Sequence, residues 1–520
     1  MNYLFNTLLS LSLATLVYSR NLCHPQDFGK GSIVCVCNTS YCDDLDPLQK
    51  TPSGVITLFE TSRNGDRFKQ TNLKFGDHHS EHPTKSQTIT IDKNKKVQKI
   101  VGFGGSFTDA TGYMISQLPQ SLQEHVIRDY FSANGLEYNL NRLPIGGADF
   151  SLRAYSYDDN QNGDFDLKHW TLTDEDKKYK IPYMKLAKQV SPHQQKFFGS
   201  PWSAPAWMKT NNQINHGGYL KGNPGEQYYK TFAKYFIKFL DAYKAEGLPM
   251  WGITIENEPS AGNQPNYGFN SMGFTKELQR DFLKKDLGPA LDAAGYQVGA
   301  DKLNVLIFDD QRDVIHEWAQ TIFPDKDAAK YTTGTAFHWY ANRNENLGNL
   351  EKAHNVDPSK FILNTEASNG ADPNKGVDLG NWNNLENDAR DIITDLNHWV
   401  AGWVQWNMAL NPKGGPNWAN LAADAPIIVD PSKQTYYKQP SYYGLGHFTK
   451  FILPDSVRID AQQSLTWDQL HTTVFQRPDG GLVVVVLNTS DELVEFNIRD
   501  GSQLLSHVIR PHSIQSYLYY

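Results

Sequence analysis

Two stretches decide the fold, MWGITIENEP (residues 250–259) and KFILNTEAS (residues 360–368). Each is a short apolar run that leads into a glutamate, Glu258 in the first and Glu366 in the second. Six further runs between residues 98 and 410 complete a series of eight: KIVGFGGSF, LNRLPIGGADF, QKFFGSPWSAPAW, LNVLIFDDQR, TGTAFHWY and VAGWVQWNMAL. Helical patterns lie between many of them, for example the apolar face that runs from Tyr229 to Tyr243.

Eight strands that alternate with helices over about 310 residues predict an α/β fold, a (β/α)8 TIM barrel. A doubly wound sheet is the alternative, because periodicity alone does not exclude it. Residues 51–94 and the chain after about residue 450 read instead as short strands with polar turns, which predicts an associated β-sandwich. The predicted regions are a signal peptide (1–19), a small disulfide-bonded β strip (20–48), strands joining the sandwich (49–94), the catalytic barrel (95–449) and the C-terminal β-sandwich (450–520).

The N-terminus carries the marks of an exported chain. An apolar run from Leu8 to Tyr18 followed by the small Ser19 predicts a secretory signal peptide, since about 11 apolar residues are too few to span a bilayer. The four cysteines all follow it, at Cys23, Cys35, Cys37 and Cys42. Export favours disulfides over a zinc site, and the spacings leave three pairings open. Sequons at Asn38 and Asn488 predict glycosylation.

Composition narrows the class of protein. The 520 residues include 49 Lys and Arg against 57 Asp and Glu, for a formal net charge of -8, and 12% are aromatic. This much apolar and aromatic mass excludes a disordered chain. An acidic excess without a basic block argues against a nucleic-acid partner, whose binding site is clustered Lys and Arg.

The two glutamates form the candidate catalytic pair. They lie 108 residues apart, three βα units, so we expect both at the one mouth where barrel enzymes carry their reacting groups. The apolar residues before each acid predict partial desolvation and a raised pKa, as a general acid needs. One such Glu could equally be a salt-bridge partner, whereas two at matching strand ends favour chemistry. Two carboxylates across a sugar are the working parts of a glycosidase.

Ordered motifs make this hypothesis specific. They are CxCNxxYCD, VxGFGGxxTDA, SPWxxPxWxKTN, NEPSAG, FxxGFTxExQRDF, DDQR, HWY, GWxxWNxALNPxGGPNW, and PIIVD with YKQP. From the cysteine cluster to the C-terminus, the chain resembles glycoside hydrolase family 30, and within it the animal acid β-glucosidases, the lysosomal glucosylceramidases. The resemblance implies retaining hydrolysis of glucosylceramide through a covalent glucosyl-enzyme.

The resemblance also implies roles for individual residues. Glu258 would be the acid/base and Glu366 the nucleophile, with Asn257 on the sugar 2-OH and Arg142 beside the nucleophile. The remaining implied contacts with substrate are Asp149, Trp202 and Trp406 on glucose, His338 and Tyr340 lining the pocket, and Tyr267 and Phe269 at the entrance, where a lipid chain could lie.

The implied substrate is a glycolipid at a membrane surface, with a saposin-type activator and anionic lipids as partners, no metal or organic cofactor, and a homodimer left open. The expected place of action is the lysosomal lumen, reached by the secretory pathway, with secretion as the alternative. A secreted family-30 β-glycanase that acts on polysaccharide is the alternative enzyme. A catalytically silent binding protein is the alternative outside enzymes, and the intact glutamate pair argues against it.

Overall fold

The computed structural model describes residues 21–299, 301–371 and 376–520. The predicted signal peptide lies outside these residues. Among the helices described, none combines the length and the apolarity that a membrane span requires.

The predicted TIM barrel is confirmed. Its strands are β1 (Gly102–Ser106), β2 (Leu140–Ile145), β3 (Lys196–Pro201), β4 (Gly252–Thr254), β5 (Asn304–Gln311), β6 (Gly334–His338), β7 (Phe361–Ala367) and β8 (Val400–Asn407). They close in sequence order, β8 pairs with β1, and every neighbouring pair is parallel. Inside the barrel a small apolar cluster forms the core: Leu140, Phe198, Leu306, Ala336, Leu363 and Val404. Because all strands run the same way, their C-terminal ends share one mouth.

Helices surround the barrel. The α-helices are Asp109–Ser116, Gln120–Phe131, Ile181–Val190, Gln227–Ala245, Lys276–Phe282, Gly288–Ala293, Ile315–Ile322, Lys326–Ala329, Asn349–Val356, Trp382–Asn397 and Pro440–Thr449. The longest, Gln227–Ala245, buries Phe232, Phe236 and Phe239 on one face, as its apolar period predicts. Thr275 caps the helix Lys276–Phe282, because its side chain accepts a hydrogen bond from the Leu278 N–H.

The β-sandwich contains strands from both ends of the chain. One sheet has the order Lys69–Lys74, Val55–Ser62, Ser513–Tyr519, Leu482–Asn488, Leu470–Gln476, Val457–Ile459 and Lys96–Lys99. The other has the order Gln462–Gln463, Lys85–Ile91, Val494–Asp500 and Gln503–Ile509. The sandwich core includes Ile56, Val484, Phe496 and Tyr517.

The packing around Asn488 argues against one of the two predicted glycosylation sites, which both stay predictions. Asn488 ends a central sandwich strand and is 0% exposed. Its side-chain nitrogen, the atom that would carry a glycan, donates to the carbonyls of Glu492 (2.9 Å) and Arg510 (3.0 Å). Asn38 is partly exposed, and its glycan stays a prediction.

The N-terminal strip is disulfide-bonded, and the pairing is Cys23–Cys35 and Cys37–Cys42. Its strands Pro25–Asp27 and Ile33–Asn38 extend a sheet with Thr435–Lys438, Ile427–Asp430 and Ala409–Leu410. Lys438 joins the strip to the barrel, because its buried ammonium donates to the Asp43 carbonyl (2.6 Å) and to Asp129 Oδ1 (2.9 Å).

Candidate active site

The two predicted catalytic glutamates meet at the barrel mouth. Glu258 follows β4 and Glu366 lies near the end of β7. One oxygen of each carboxylate and one ring nitrogen of His338 all lie within 4.8 Å of one another. This spacing leaves room for a sugar carbon between the carboxylates rather than for an additional water.

Arg142 connects the groups around this pair. Its guanidinium is fully buried and donates to Glu366 Oε2, Asn257 Oδ1 (2.8 Å), Asp309 Oδ2 (2.7 Å) and Ser200 Oγ (3.0 Å). Burial lowers the pKa of Arg142, but the carboxylates of Asp309 and Glu366 raise it by more, so its pKa is raised overall. The site therefore contains a permanent positive charge beside Glu366.

Asp309 is a site residue to which the sequence analysis assigned no role. The register of β5 shifts between Phe308 and Asp310, and both Phe308 and Asp309 have positive φ (74° and 72°). A bulge of this kind re-aims a side chain, and here it turns Asp309 to Arg142, Thr254 and Thr365. Burial raises the pKa of Asp309, but Arg142 and His338 lower it by more than burial raises it. The net shift is downward, so Asp309 stays charged.

Glu258 accepts hydrogen bonds from three side chains. Tyr267 donates its hydroxyl to Oε2, Gln311 Nε2 donates to Oε1 at 3.0 Å, and His338 Nδ1 lies 3.3 Å from Oε1. The residue itself is held at a φ of 46°, a left-handed conformation that costs a non-glycine residue about 1–2 kcal/mol. Such strain is concentrated at functional sites. Gln311, in the DDQR motif, was another residue without an assigned role.

The expectation of a raised pKa for Glu258 is wrong. Burial does raise it, but the hydrogen bonds from His338 and Tyr267 and the charge of Arg142 outweigh burial, so the pKa is lowered. The pKa of His338 shifts in the opposite direction. Burial lowers its pKa, whereas Glu366, Asp309 and Glu258 raise it to about 10. His338 is therefore an imidazolium in neutral and acid solution, with its Nε2 on Asp309 Oδ1 at 3.2 Å.

The other predicted contacts surround the same space. Tyr340 donates its hydroxyl to Glu366 Oε1 at 2.8 Å, although its ring reaches the mouth and the residue is 39% exposed. Asp149 is buried, and its Oδ1 has no hydrogen-bond partner, which leaves it to accept from a ligand. Burial, Glu366 and Glu258 raise the pKa of Asp149 well above its usual value.

The two predicted tryptophans lie deeper than an open sugar platform would. Trp202 and Trp406 stack on each other with centroids 5.1 Å apart, and each is 2% exposed. The Arg142 guanidinium lies over both rings, at 4.7 and 5.5 Å. These contacts orient the arginine by cation–π attraction. At the entrance, Tyr267 and Phe269 are partly exposed and their rings are 4.5 Å apart.

A cation is the other ligand that this set could hold, because Glu258, His338 and Glu366 offer oxygen and nitrogen donors. It would compete with Arg142, which already places a positive charge on Glu366. The expectation that the reaction needs no cofactor stays a prediction.

The chain is similar to known glycoside hydrolases in both sequence and structure. Residues 100–452 match the model of the glycosyl hydrolase family 30 TIM-barrel domain, and residues 455–517 match that of the family 30 β-sandwich domain. Lysosomal acid glucosylceramidase of Mus musculus is 43% identical over 96% of both chains. Putative glucosylceramidase 3 of Caenorhabditis elegans is 40% identical, over 96% of this chain and 95% of its own. A solved structure of an endo-β-1,6-glucanase superposes with a TM-score of 0.78 at 26% identity, covering 90% of this chain and 99% of its own.

Proposed function

The chain belongs to glycoside hydrolase family 30 and is a glycoside hydrolase that acts on β-glucosides, and we propose that its substrate is glucosylceramide, cleaved with retention to glucose and ceramide. The observation that carries the mechanism is the approach of Glu258 and Glu366 within 4.8 Å at one mouth. Retaining glycosidases need their carboxyl groups roughly 5–5.5 Å apart, whereas inverting ones need space for a water. The glycolipid substrate is supported by the glucosylceramidases among the relatives.

In the first step, Glu366 attacks the anomeric carbon and displaces the ceramide oxygen. Arg142 on Oε2 and the Tyr340 hydroxyl on Oε1 hold the carboxylate in one orientation. Asn257 accepts from Arg142 through Oδ1, which leaves its NH2 group to donate to the sugar 2-OH. That hydrogen bond strengthens in the transition state.

Glu258 transfers the proton in both steps. It protonates the ceramide oxygen as the glucosyl–Glu366 bond forms, then takes a proton from the water that breaks this bond. A bound sugar would exclude water from Glu258 and raise its pKa towards the range of a general acid. Asp149, whose Oδ1 is unpartnered, would accept from sugar hydroxyls.

The setting proposed for this reaction is the lysosomal lumen at a membrane surface, with anionic lipids and a saposin-type activator as partners. Histidine protonation near pH 5 would move the net charge from -8 towards positive values, which favours anionic vesicles. Not all 16 histidines contribute, because burial lowers the pKa of His447 to about 3 and of His471 to about 4. Co-sedimentation with anionic vesicles should be stronger at pH 5 than at pH 7, and equal binding would contradict this.

Covalent trapping tests the mechanism. A 2-deoxy-2-fluoro-β-glucosyl fluoride should inactivate the enzyme and leave one fluoroglucosyl group on the peptide that contains Glu366, as read by mass spectrometry. Glu366→Gln should bind no label and lose turnover while its melting temperature stays close to that of the wild type. A label on another carboxylate would overturn the nucleophile assignment.

Substrate comparison separates the proposal from its alternative. The structural similarity to an endo-β-1,6-glucanase supports a polysaccharide-active enzyme as the second candidate. Turnover at about pH 5 should be measured on glucosylceramide vesicles, with and without a saposin-type activator, and on soluble β-1,6-glucan and xylan. The proposal requires glucosylceramide to be the preferred substrate, and faster turnover of either polysaccharide would favour the glycanase.

A further inference from the structure

Lys209 lies in a motif whose role the catalytic steps leave unexplained. It belongs to SPWSAPAWMKTN (residues 200–211), of which only Trp202 was predicted to contact the sugar. Its side chain is 0% exposed. A buried ammonium requires polar partners, and the partners of Lys209 lie in two loops beside Glu258.

The two loops have different origins. The first, the hairpin loop (residues 209–221), is closed by hydrogen bonds from Thr210 N to Tyr219 O (2.8 Å) and from Lys221 N to Met208 O (2.9 Å). The second, the acid/base loop (residues 259–274), starts directly after Glu258. It carries Tyr267, whose hydroxyl donates to the Glu258 carboxylate.

The hairpin loop and the acid/base loop are bonded to each other. His216 N donates to Tyr267 O (3.0 Å), and Ser271 N donates to Ile214 O (3.1 Å). Gly217 N donates to Ser271 Oγ (3.0 Å). Gly217 has a φ of +63°, and a Cβ there would lie 2.5 Å from Ala261 O, so only glycine permits this approach. The position of Tyr267 therefore depends on the hairpin loop.

Lys209 lies where the two loops meet. Its ammonium donates to Ser271 O (2.6 Å) in the acid/base loop and to Ile214 O (3.2 Å) in the hairpin loop. The carboxyl of Glu256, on the segment after β4, also acts on Lys209. Burial raises the pKa of Glu256 well above its usual value, Lys209 opposes this, and Asp309 from β5 adds to it. Glu256 is buried, and neither of its carboxyl oxygens has a hydrogen-bond partner.

We propose that Lys209 is a positioning residue for Glu258, because its ammonium joins the hairpin loop to the acid/base loop and so holds the Tyr267 hydroxyl on the Glu258 carboxylate. Burial lowers the pKa of Lys209 and Glu256 partly opposes this, with a net pKa of about 7. The Lys209 ammonium is therefore charged in acid solution. Hydrogen bonds from a charged donor are about twice as strong as neutral ones. The inference rests on the proposed role of Glu258 as the acid/base.

Leaving-group dependence tests the proposal. An aryl glucoside with a poor leaving group needs the acid, whereas 2,4-dinitrophenyl β-glucoside departs without protonation. Lys209→Met should lower kcat/KM about 10- to 100-fold for 4-methylumbelliferyl β-glucoside and less than about 3-fold for the dinitrophenyl substrate, since general acid catalysis contributes about 10²- to 10⁴-fold. Lys221→Met is the matched control, because that ammonium bonds Trp207 O and Asn212 Oδ1 without reaching the acid/base loop.

A second variant and a double mutant complete the design. Ser271→Ala removes the Gly217 contact between the same loops and should show the same substrate dependence with a smaller loss, even if Lys209→Met does not fold. In a Tyr267→Phe background, Lys209→Met should add little loss, because the hydroxyl that it positions is absent. Equal losses on both substrates for Lys209→Met and Ser271→Ala, or full additivity with Tyr267→Phe, would overturn the proposal. A wild-type enzyme inactive on both glucosides would instead contradict the proposed function.

Discussion

Arg142 and Asp309 form an ion pair at 2.7 Å between side chains that are both fully buried. The guanidinium donates from three nitrogens to four acceptors, and Asp309 takes up one edge of it while Glu366 receives another. A planar group with fixed donors suits this arrangement, and a lysine ammonium of the same charge does not. The orientation of Glu366 thus depends on Asp309, which need not touch the sugar.

Arg142→Lys should therefore lower activity without removing the charge. A lysine ammonium has fewer donors than the guanidinium, so Asn257 or Asp309 would lose its hydrogen bond and the Glu366 carboxylate could turn. A displacement of about 1 Å can cost about 10²-fold in rate. We expect kcat/KM for an aryl β-glucoside to fall by about that factor. Arg153→Lys is the control, because Arg153 is half exposed and its guanidinium pairs with Glu175, a residue outside the predicted catalytic and sugar-binding set. If Arg142→Lys kept its activity within about 2-fold of the wild type, the role of Arg142 in orienting Glu366 would be contradicted.

Tyr267→Phe should shift the pH profile. The Tyr267 hydroxyl donates to Glu258, an interaction that stabilises the carboxylate and lowers its pKa. Removing the donor raises the pKa of Glu258, so the acid stays protonated to higher pH. The alkaline limb of kcat/KM should therefore move to higher pH, while the maximum falls because Glu258 is less well oriented. Steady-state rates on an aryl β-glucoside from about pH 4 to pH 8 measure both effects.

A matched tyrosine tests whether this effect is local. Tyr296 also donates its hydroxyl to a carboxylate, Asp241, at 2.7 Å, but this exposed contact joins the helix Gln227–Ala245 to the segment after Gly288–Ala293. Tyr296→Phe should leave the profile unchanged. A shift of the alkaline limb to lower pH in Tyr267→Phe would mean that the hydroxyl does not stabilise the Glu258 carboxylate.

The positions of the glutamates were predictable from sequence, whereas part of their environment was not. Glu258 and Glu366 end apolar runs, and parallel strands bring such ends together. Asp309 points into the site because β5 bulges with two residues at positive φ, a local geometry that strand alternation does not encode. Lys209 was quoted within a motif, but its partners are backbone carbonyls of loops, which have no side-chain pattern.

The cysteine pairing and the Asn488 sequon also depend on the folded structure in ways that residue types do not reveal. Cysteine spacing left three pairings, and only the hairpin of Ile33–Asn38 against Pro25–Asp27 brings Cys23 to Cys35. The Asn488 sequon gives residue types and not burial, so the sequence alone does not reveal that this side chain is packed inside the sandwich. The Asn488 side chain donates to two backbone carbonyls at the end of a central sandwich strand.

Glycan occupancy should differ between the two sequons. Asn38 is partly exposed, and Asn488 is buried with its amide nitrogen engaged. When the chain is secreted from eukaryotic cells, Asn38→Gln should remove one glycan, and Asn488→Gln should remove none. Intact mass before and after enzymatic deglycosylation gives the count. A glycan on Asn488 would require that strand end to open, and finding one would contradict the packing described.

His447 should make the fold less stable in acid. It is fully buried between Thr61 Oγ1 (2.9 Å) and Ser516 Oγ (2.8 Å) and stacks on Phe68, and burial lowers its pKa to about 3. The unfolded chain, with an ordinary pKa near 6.5, binds this proton first. The stability contributed by neutral His447 is therefore complete above about pH 6.5 and is lost as pH falls towards 3. Between pH 7 and pH 5 the loss from this group is about 2 kcal/mol.

His447→Gln removes the titration but keeps polar atoms for the two hydroxyls. We expect the variant to be less stable at pH 7, because the ring packing is lost, yet to lose about 2 kcal/mol less than the wild type between pH 7 and pH 5. Urea unfolding at both pH values measures this difference, and groups that titrate alike in both proteins cancel. His82→Gln is the control, because it makes the same substitution at an exposed histidine. An identical decline in wild type and His447→Gln would show that the buried ring does not oppose folding in acid.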